Sequence, residues 1–391
     1  LDKTISMQKD GSCYLLAGDI PAMWMRDSST QMWGYLPFAK EPEMAELFRG
    51  LLRMQFRCIA MDPYANAFNE QPNGRGMVKD LPRNNPWIWE RKYEIDSLAY
   101  PIRLLYHYWK ASGDDSLLGD TFASVMRIII EVWKTEQYHF EKSSYRFFRT
   151  TDRKNDTIHN NGLGAPVGYT GMTWQGFRPS DDGHTYPYSI PSNIFAYLSL
   201  GYAKEMLEHT FTAHPLVEEI IKLRAEIMQG VKTYGIVEHE KYGKIFAYET
   251  DGLGNYALMD DANVPSLISL PYIGFNDPAF KDVYENTRRF ILSTDNPYYY
   301  VGKAAKGIGS PHEYTGYIWH IGLSMQGLTA TDKDEMREVL EMLVSTDADT
   351  GYMHECFDRD DPKKFRRSFF PWSNTLFCEF VEKCIKEGLF D

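Results

Sequence analysis

The chain has 391 residues, of which 43% are hydrophobic, so it can bury a sizeable core. Its formal net charge of −12 argues against nucleic acid or an anionic membrane surface as a partner. No apolar run in the sequence is long enough to span a bilayer. Aromatic residues make up 15% of the chain, many of them beside Gly, Pro, Asn or Asp. This placement is typical of stacking platforms for an amphipathic ligand, although large helical cores also use aromatic residues.

The five cysteines are scattered and odd in number, which matches neither a disulfide framework nor zinc-site spacing. They are Cys13, Cys58, Cys356, Cys378 and Cys384. This usage favours a reducing, cytoplasmic compartment, and we expect Cys378 and Cys384 to be buried free thiols. Because the chain begins at Leu1 rather than Met, removal of a signal peptide would instead make the protein periplasmic or secreted.

Helical periodicity dominates the chain, and the predicted helices come in pairs. The first three pairs are Met25–Ala39 with Pro42–Ala60, Tyr93–Ala111 with Leu117–Tyr138, and Ile190–His209 with Pro215–Tyr234. A loop-rich insertion is predicted from about Glu141 to Pro187, and a hairpin over Gly235–Thr250. Further helices are predicted at Asp260–Pro271, Pro278–Ser293, Thr315–Leu328, Lys333–Ser345 and Trp372–Gly388.

The first helix of each pair opens with a similar polar run. These runs are Arg26-Asp-Ser-Ser-Thr, Glu94-Ile-Asp-Ser, Ser189-Ile-Pro-Ser-Asn, Asp260-Asp-Ala-Asn-Val-Pro-Ser and Pro371-Trp-Ser-Asn. Such residues cap helices well, and we expect the helix starts to point at one shared space. The pattern predicts an all-α (α/α)6 barrel with loop and short β-hairpin insertions, forming one domain over residues 1–391. An open helical solenoid is the alternative, but its repeat lengths would be more regular.

Two adjacent acids stand in the stretch Gln175–His184. Pro179 and Gly183 exclude a helix interior, so the carboxylates of Asp181 and Asp182 lie on a turn. Neighbouring carboxylates cannot both ionise cheaply once partly desolvated, so one can keep its proton, as a general acid must. An Asx turn that caps a helix is the alternative for Asp-Asp-Gly alone. Flat faces for a sugar are predicted nearby at Trp174, Phe177, Tyr186 and Tyr188.

Further polar groups follow a proline turn at Gly18–Ser28, where Arg26 stands beside Asp27. A guanidinium beside a carboxylate can grip vicinal hydroxyls, and a buried structural ion pair is the alternative. Glu355 lies among aromatic residues and fits a carboxylate in an aromatic pocket. The alternatives for Glu355 are an interaction with a helix dipole or a salt bridge, with Arg359, Arg366 or Arg367 as the partner.

Two histidines receive different predictions. His312, followed by Glu313, is predicted to open a helix and contact a ligand, whereas His320 lies in an apolar helix and is predicted to be a core residue. No His-Glu-x-x-His, Cys-x-x-Cys or EF-hand loop is present, so no metal is predicted. The glycines after Gly162 do not form a dinucleotide fingerprint because Pro166 interrupts them, so no cofactor is predicted either.

Six segments, in this order along the chain, resemble the family 125 glycoside hydrolases, the bacterial and fungal exo-α-1,6-mannosidases. They begin at Gly18 (GDIPAMWMRDS), Trp89 (WERKYEIDS), Phe177 (FRPSDD), Asp260 (DDANVPS), Gly351 (GYMHE) and Phe370 (FPWSNTLF). The resemblance implies an (α/α)6 fold and metal-independent, inverting release of mannose from a mannose-containing oligosaccharide.

The resemblance also implies catalytic roles. It puts the general acid on the Arg-Pro-Ser-Asp-Asp motif, where we choose Asp182 over Asp181, and the general base on Glu355. An inverting site leaves about 6.5–9.5 Å between the two carboxyl groups for a water molecule. The predicted substrate-binding residues are Arg26, Asp27, Asp96, Asp181, Asp261 and His312.

Two other functions stay open at this point, and we expect a monomer in each case. A non-catalytic glycan-binding protein would keep the aromatic platforms but could dispense with the acid and base. A sugar isomerase or epimerase on an (α/α)6 scaffold would need a proton-shuttling pair of histidines. The intact acids argue against the first function, and the scarcity of histidine in the loops argues against the second.

Overall fold

The computed structural model describes residues 3–390, which form two compact units. The first unit comprises Leu1–Tyr234 with Thr250–Asn255, and the second comprises Gly235–Glu249 with Tyr256–Asp391. The single catalytic domain expected over residues 1–391 stays a prediction.

Two layers of helices make up most of the first unit. Its helices are α1 (Met25–Trp33), α2 (Pro42–Met61), α3 (Ile95–Ser112), α4 (Asp120–Glu136), the single turns α5 (His139–Lys142) and α6 (His159–Gly162), α7 (Ile190–Thr210) and α8 (Pro215–Tyr234). A 3-10 turn, Leu36–Phe38, follows α1. Helix α3 packs between α1 and α7, while α4 packs between α2 and α8. Alternate helices therefore form alternate layers, as the paired periodicity predicts.

The inner layer is buried on all sides near the helix starts. Helix α1 buries every residue from Met25 to Met32, and α3 buries every residue from Ile95 to Leu105. Gln55 of α2 joins the layers, since its Nε2 donates to the hydroxyls of Ser28 (2.9 Å) and Ser29 (2.8 Å). A helix surrounded by protein must supply partners for every polar side chain that it carries.

Short strands hold the helix starts of the first unit in place. They are β1 (Ile5–Met7), β2 (Cys13–Leu15), β3 (Met23–Trp24), β4 (Ala67–Phe68), β5 (Ile88–Glu90) and β6 (Tyr188–Ser189). Strands β1 and β2 form an antiparallel hairpin, and β4 pairs with both β3 and β5. Because β3 runs directly into α1 and β5 ends shortly before α3, this small sheet brings the starts of two inner helices side by side.

The second unit combines helices with more strands. Its helices are α9 (Leu270–Ile273), α10 (Lys281–Ile291, after a 3-10 turn at Pro278–Phe280), α11 (His320–Thr329), α12 (Lys333–Ser345) and α13 (Pro371–Lys386). Its strands are β7 (Ile236–His239), β8 (Gly243–Phe246), β9 (Glu249–Thr250, ending at the boundary between the units), β10 (Tyr256–Ala257), β11 (Tyr299–Val301), β12 (Lys306–Ile308), β13 (Tyr317–Trp319), β14 (Cys356–Asp358) and β15 (Phe365–Arg366). The hairpin β7–β8 confirms the one predicted over Gly235–Thr250.

Helix α11 packs closely against α12 and α13 at the centre of this unit. A β-carbon at Gly327 would lie 2.4 Å from the ring of Phe380, so only glycine allows this approach of α11 to α13. The surrounding core includes Leu323, Val339 and Leu343, all fully buried. This core fixes the start of α11, which follows β13 directly.

Two predicted helices begin too early. The residues from Asp260 to Ser269 are not helical, because the Asp260 carboxylate accepts the backbone N–H groups of Leu267 (2.8 Å) and Ile268 (2.9 Å) and holds a loop. His312 and Glu313 lie in a turn rather than at a helix start. The following residues pair as β13 with β14 before α11 begins, so tertiary pairing overrides the helical pattern.

The predicted helix Met25–Ala39 is wrong at its end, since α1 ends at Trp33 and a separate 3-10 turn follows. The predicted Pro215–Tyr234 and Lys333–Ser345 match α8 and α12. All five cysteines are free thiols. The prediction of a buried thiol is confirmed for Cys384 but wrong for Cys378, which is exposed. Over residues 3–390, no helix combines the length and the apolar character that crossing a membrane requires.

Lys383 of α13 offers a test of how α11 ends. Its Nζ donates to the carbonyl oxygens of Gly327 (3.3 Å), Leu328 (2.9 Å) and Ala330 (2.5 Å). Carbonyls at a helix end have no partner within the helix, so Lys383→Met should lower the free energy of unfolding by about 1–3 kcal/mol. Urea denaturation measures the change. Lys386→Met, which removes only an exposed pair with Glu382, is the matched control; equal losses in both variants would contradict this role for Lys383.

Candidate active site

The polar helix starts are mostly not caps. Ser189 does cap α7, because its hydroxyl accepts the backbone N–H of Ser192. The residues before α1, α3 and α13 are Trp24, Glu94 and Phe370, and none of them makes a side-chain cap bond. The capping prediction is therefore wrong for these three helices, and their polar residues serve other partners.

Those partners surround the guanidinium of Arg26, the second residue of α1. Arg26 Nη1 donates to Glu94 Oε2 (2.8 Å) and Asp96 Oδ2 (3.0 Å). Arg26 Nη2 lies 3.5 Å from Asp181 Oδ1, and Arg26 Nε lies 3.8 Å from Asp27 Oδ2. One buried positive charge thus faces four carboxylates, and the pairing of α1 with α3 brings most of them together.

The excess of carboxylates changes their protonation. Burial raises the pKa of Glu94 well above its ordinary value, with Arg26 opposing the change and Asp96 and Asp181 adding to it. Burial likewise raises the pKa of Asp96, again against the effect of Arg26. Burial alone would lower the pKa of Arg26, but the surrounding carboxylates raise it well above its ordinary value. The cluster therefore favours a permanent cation and at least one protonated acid.

Exposure separates the members of the cluster into two groups. The side chains of Glu94 and Asp96 are 0% exposed, whereas that of Asp181 is 26% exposed. Arg26 and Asp27 are intermediate, with 4% and 8% of their side chains exposed. The exposed side-chain surface of the cluster therefore belongs mainly to Asp181, with small parts of Arg26 and Asp27. Glu94 and Asp96 contact Arg26 in the interior.

The loop that carries Asp181 and Asp182 is a tight turn, as the sequence predicts. Asp181 has φ +68°, the Asp181 N–H donates to the Arg178 carbonyl (2.9 Å), and the Arg178 N–H donates to the Asp182 carbonyl (2.7 Å). Lys92, which is buried, donates from Nζ to the Asp181 carbonyl (2.7 Å). These bonds fix the backbone of both acids, and residue Asp182 is buried.

The predicted aromatic platform is mostly core. Trp174, Phe177 and Tyr188 are almost completely buried, and Trp174 stacks on His139 with ring centroids 3.6 Å apart. Only Tyr186 of the four is half-buried. The prediction of flat sugar-binding faces is therefore wrong for Trp174, Phe177 and Tyr188, which lie in the interior instead.

In the second unit, Ser310 links two of the predicted binding residues. Its hydroxyl donates to Asp261 Oδ2 (3.1 Å) and accepts the backbone N–H of His312 (3.2 Å). The ring of His312 lies 6.5 Å from that of Trp319 in β13, and Trp319 pairs with Cys356. Strand pairing thus places His312 in the neighbourhood of the chain segment that carries Glu355.

Glu355 is held beside a positive charge. Its Oε1 lies 3.7 Å from Arg367 Nη1, and 13% of its side chain is exposed. Arg367 adopts φ +53°; its carbonyl contacts His354 Nδ1 (3.0 Å), and its guanidinium lies over the ring of Phe370 (4.5 Å). Of the three arginines that the sequence offers as partners for Glu355, the structure shows an ion pair with Arg367. A cation at this distance favours the ionised carboxylate.

His320 is the core residue that the sequence predicts. It is fully buried. The backbone N–H of His354 donates to His320 Nδ1 (3.0 Å), and the hydroxyl of Thr346 lies 3.3 Å from His320 Nε2. Burial lowers its pKa to about 3, so it stays neutral.

Several buried charges beside the acids were missed from the sequence. Lys92, Glu94 and Arg149 are the clearest cases: long charged side chains in or near loops normally lie in water, so their burial leaves little sequence signal. The only available hint for Glu94 was its place two residues before Asp96. In residues 3–390, no group of three or more His, Cys, Asp or Glu side chains is arranged to hold a metal ion.

Comparison with known proteins gives consistent matches. A family model for metal-independent α-mannosidases (GH125) matches residues 1–382. The chain is 37% identical over 389 residues to the Meiotically up-regulated gene 157 protein of Schizosaccharomyces pombe, covering 94% of this chain and 75% of that protein.

Solved structures give the same result. A Streptococcus pneumoniae metal-independent α-mannosidase in a non-productive complex with α-1,6-mannobiose is similar, with 45% identity and a TM-score of 0.95, covering 98% of this chain and 91% of that one. A bacterial glucoamylase complexed with acarbose has a TM-score of 0.57 and 11% identity, covering 93% of this chain and 49% of that one, which shows likeness of fold alone. The predicted (α/α)6 fold is confirmed.

The raised pKa of Glu94 predicts a pH-dependent stability. Unfolded Glu94 loses its proton near its ordinary pKa of 4.5, whereas the folded protein retains the proton to higher pH, so this group stabilises the fold less as pH rises above 4.5. Gln cannot ionise. The free energy of unfolding of Glu94→Gln should therefore increase relative to the wild type between pH 5 and pH 8, measured by urea denaturation. Glu208→Gln, which removes an exposed pair with Lys204, should show no such trend. A relative stability of Glu94→Gln that is flat or falls with pH would count against a protonated Glu94.

Proposed function

Because the chain belongs to glycoside hydrolase family 125, the metal-independent α-mannosidases, we propose that it is an exo-acting α-1,6-mannosidase. It releases mannose from non-reducing ends by inverting hydrolysis. The α-1,6 linkage is supported by the likeness to the Streptococcus pneumoniae enzyme, whose structure contains α-1,6-mannobiose. Membership of a hydrolase family also decides against the isomerase and the non-catalytic binding protein.

The observation that carries the choice of acid is the pairing of Asp181 with Arg26. A guanidinium 3.5 Å away favours the ionised form of Asp181, which suits it to accept hydrogen bonds from sugar hydroxyls. A general acid must instead hold a proton. Asp182, on the same fixed turn, is therefore the acid that protonates the glycosidic oxygen as the bond to the anomeric carbon breaks.

Glu355 is the general base in this proposal. Its ionised form, favoured by Arg367, removes a proton from the attacking water. Water and leaving group lie on opposite faces of the sugar ring, so the configuration at the anomeric carbon inverts. No covalent intermediate forms, and the two carboxyl groups exchange their protonation states in one step.

The remaining predicted residues bind the terminal mannose. Arg26 offers donors to the hydroxyls, and Asp27 and Asp181 offer acceptors, so a vicinal pair of hydroxyls can bind both kinds of group at once. Asp96 contributes by holding Arg26, as its burial indicates. Asp261 and His312 remain proposed contacts, joined through Ser310. The monomeric state stays a prediction.

A panel of linkages tests the proposal. Purified protein is incubated with α-1,2-, α-1,3- and α-1,6-linked mannobiose, with and without a chelator, and free mannose is quantified. Mannose should appear from the α-1,6 isomer by at least about tenfold over the others, a preference worth about 1.4 kcal/mol in transition-state binding. The chelator should leave the rate unchanged. Activity that is lost with the chelator and restored by calcium, or a preference for another linkage, would contradict the proposal. Asp182→Asn serves as the inactive control.

A further inference from the structure

A second loop lies against the acid turn. The side-chain amide of Asn155 donates from Nδ2 to Asp182 Oδ2 (3.3 Å), and the Gly183 N–H donates to the Asn155 carbonyl (2.6 Å). Asn155 thus contacts the acid through its side chain and the residue after the acid through its backbone. The loop reaches the acid from outside the Arg-Pro-Ser-Asp-Asp motif.

We propose that Asn155 is a positioning residue that determines which oxygen of Asp182 carries the transferable proton. This inference rests on the proposed role of Asp182 as the general acid. A protonated carboxyl group has one hydroxyl and one carbonyl oxygen, and an amide N–H is accepted by the carbonyl oxygen. With Oδ2 accepting from Asn155, the proton lies on Oδ1. The acid therefore presents one oxygen, in one orientation, to the glycosidic oxygen.

The neighbouring Asp156 anchors this loop. Its Oδ1 accepts from Lys92 Nζ (2.7 Å) and from Arg149 Nη1 (2.9 Å). Lys92 Nζ also donates to the Asp181 carbonyl, so one buried ammonium group holds both loops. Arg149 is fixed in turn by two bonds of 2.7 Å to Asp80. Asn155 is therefore presented from a rigid support although its own side chain is on the surface.

Gly183 allows the two loops to approach this closely. A β-carbon there would lie 2.9 Å from the carbonyl oxygen of Thr157 and 3.3 Å from that of Asn155. Any larger residue would force the loops apart and lengthen the contact between Asn155 and Asp182. The close approach of the two loops thus requires glycine at position 183, in addition to the turn.

The exposure of Asn155 makes the proposal testable without disturbing the core. Asn155→Ala removes the amide donor from Asp182 Oδ2, so this bond no longer directs the proton to Oδ1. The value of kcat/KM for α-1,6-mannobiose should fall about tenfold, a part of what general acid catalysis supplies. An aryl α-mannoside with an activated leaving group needs little protonation, so its kcat/KM should change by about twofold or less. Lys154→Ala, an exposed neighbour in the same loop, should leave both substrates unaffected.

The pH profile supplies a second readout. A donated hydrogen bond favours the ionised acid, so its loss should move the basic limb of kcat/KM to higher pH in Asn155→Ala. Asn155→Asp replaces the donor by a like charge and should move that limb further. Arg178, Asp181 and His184 of the acid turn keep their ionisable side chains in both Asn155 variants, as do Asp156, Lys92 and Arg149 beside it.

The outcomes are distinguishable. Equal losses on both substrates, or an unchanged basic limb, in Asn155→Ala would overturn the positioning role while Asp182→Asn still loses mannobiose activity. Full mannobiose activity in Asp182→Asn would overturn both the assignment of the acid and the inference drawn from it. The expected result is a leaving-group-dependent loss in Asn155→Ala, milder than in Asp182→Asn and accompanied by the shift of the basic limb.

Discussion

The burial of one guanidinium constrains the first unit more than any other interaction. Arg26 stands at a helix start, where the helix dipole disfavours a cation, and its side chain is nearly inaccessible to water. Such a group is tolerated only when it is paired and hydrogen-bonded, and Glu94 and Asp96 provide this from the adjacent helix. The packing of α1 against α3 and the charge cluster therefore depend on each other. Neither could be changed alone without leaving a buried charge unpaired.

The same constraint assigns roles to the acids. A cation surrounded by more carboxylates than it can neutralise leaves some acids ionised and others protonated, and burial selects which. Burial raises the pKa of Glu94, whose side chain has no exposed surface, whereas Asp181 is the most exposed of the four. We therefore propose that Asp181 is the member of the cluster that faces the ligand. A second buried cation, Lys92, binds the backbone of the acid turn and the loop beside it. Two cations thus hold the turn that carries Asp182, Arg26 through the Asp181 side chain and Lys92 through the Asp181 carbonyl.

Much of the helical architecture was predictable because it depends on apolar periodicity, which is local. The bounds of α8 and α12 follow from their stripes, and the closely similar structures confirm the fold class. The two late helix starts occur where a side chain bonds to a distant backbone or where strands pair. The Asp260 carboxylate holds a loop in place of a helix, and β13 delays the start of α11.

The candidate site also has a part that was predictable from the sequence and a part that was not. Arg26, Asp27 and Asp96 could be grouped from the sequence, since polar residues at helix starts converge when the helices pack, and Asp181 joins them from the acid turn. The roles inside the group could not, because they depend on exposure, and sequence does not tell a buried acid from an exposed one. Trp174 was misassigned for the same reason. Its place beside polar loops predicts a stacking face for a sugar, but the side chain is buried and stacks on His139.

The central claim is that two carboxylates act in a single displacement, and the anomeric form of the first product tests it most directly. Hydrolysis of α-1,6-mannobiose can be followed by proton NMR at early times, before mutarotation equilibrates the released mannose. A single displacement predicts that β-mannose appears first and that the α form grows in only as mutarotation proceeds. Initial release of α-mannose would contradict it, because retention requires a covalent intermediate.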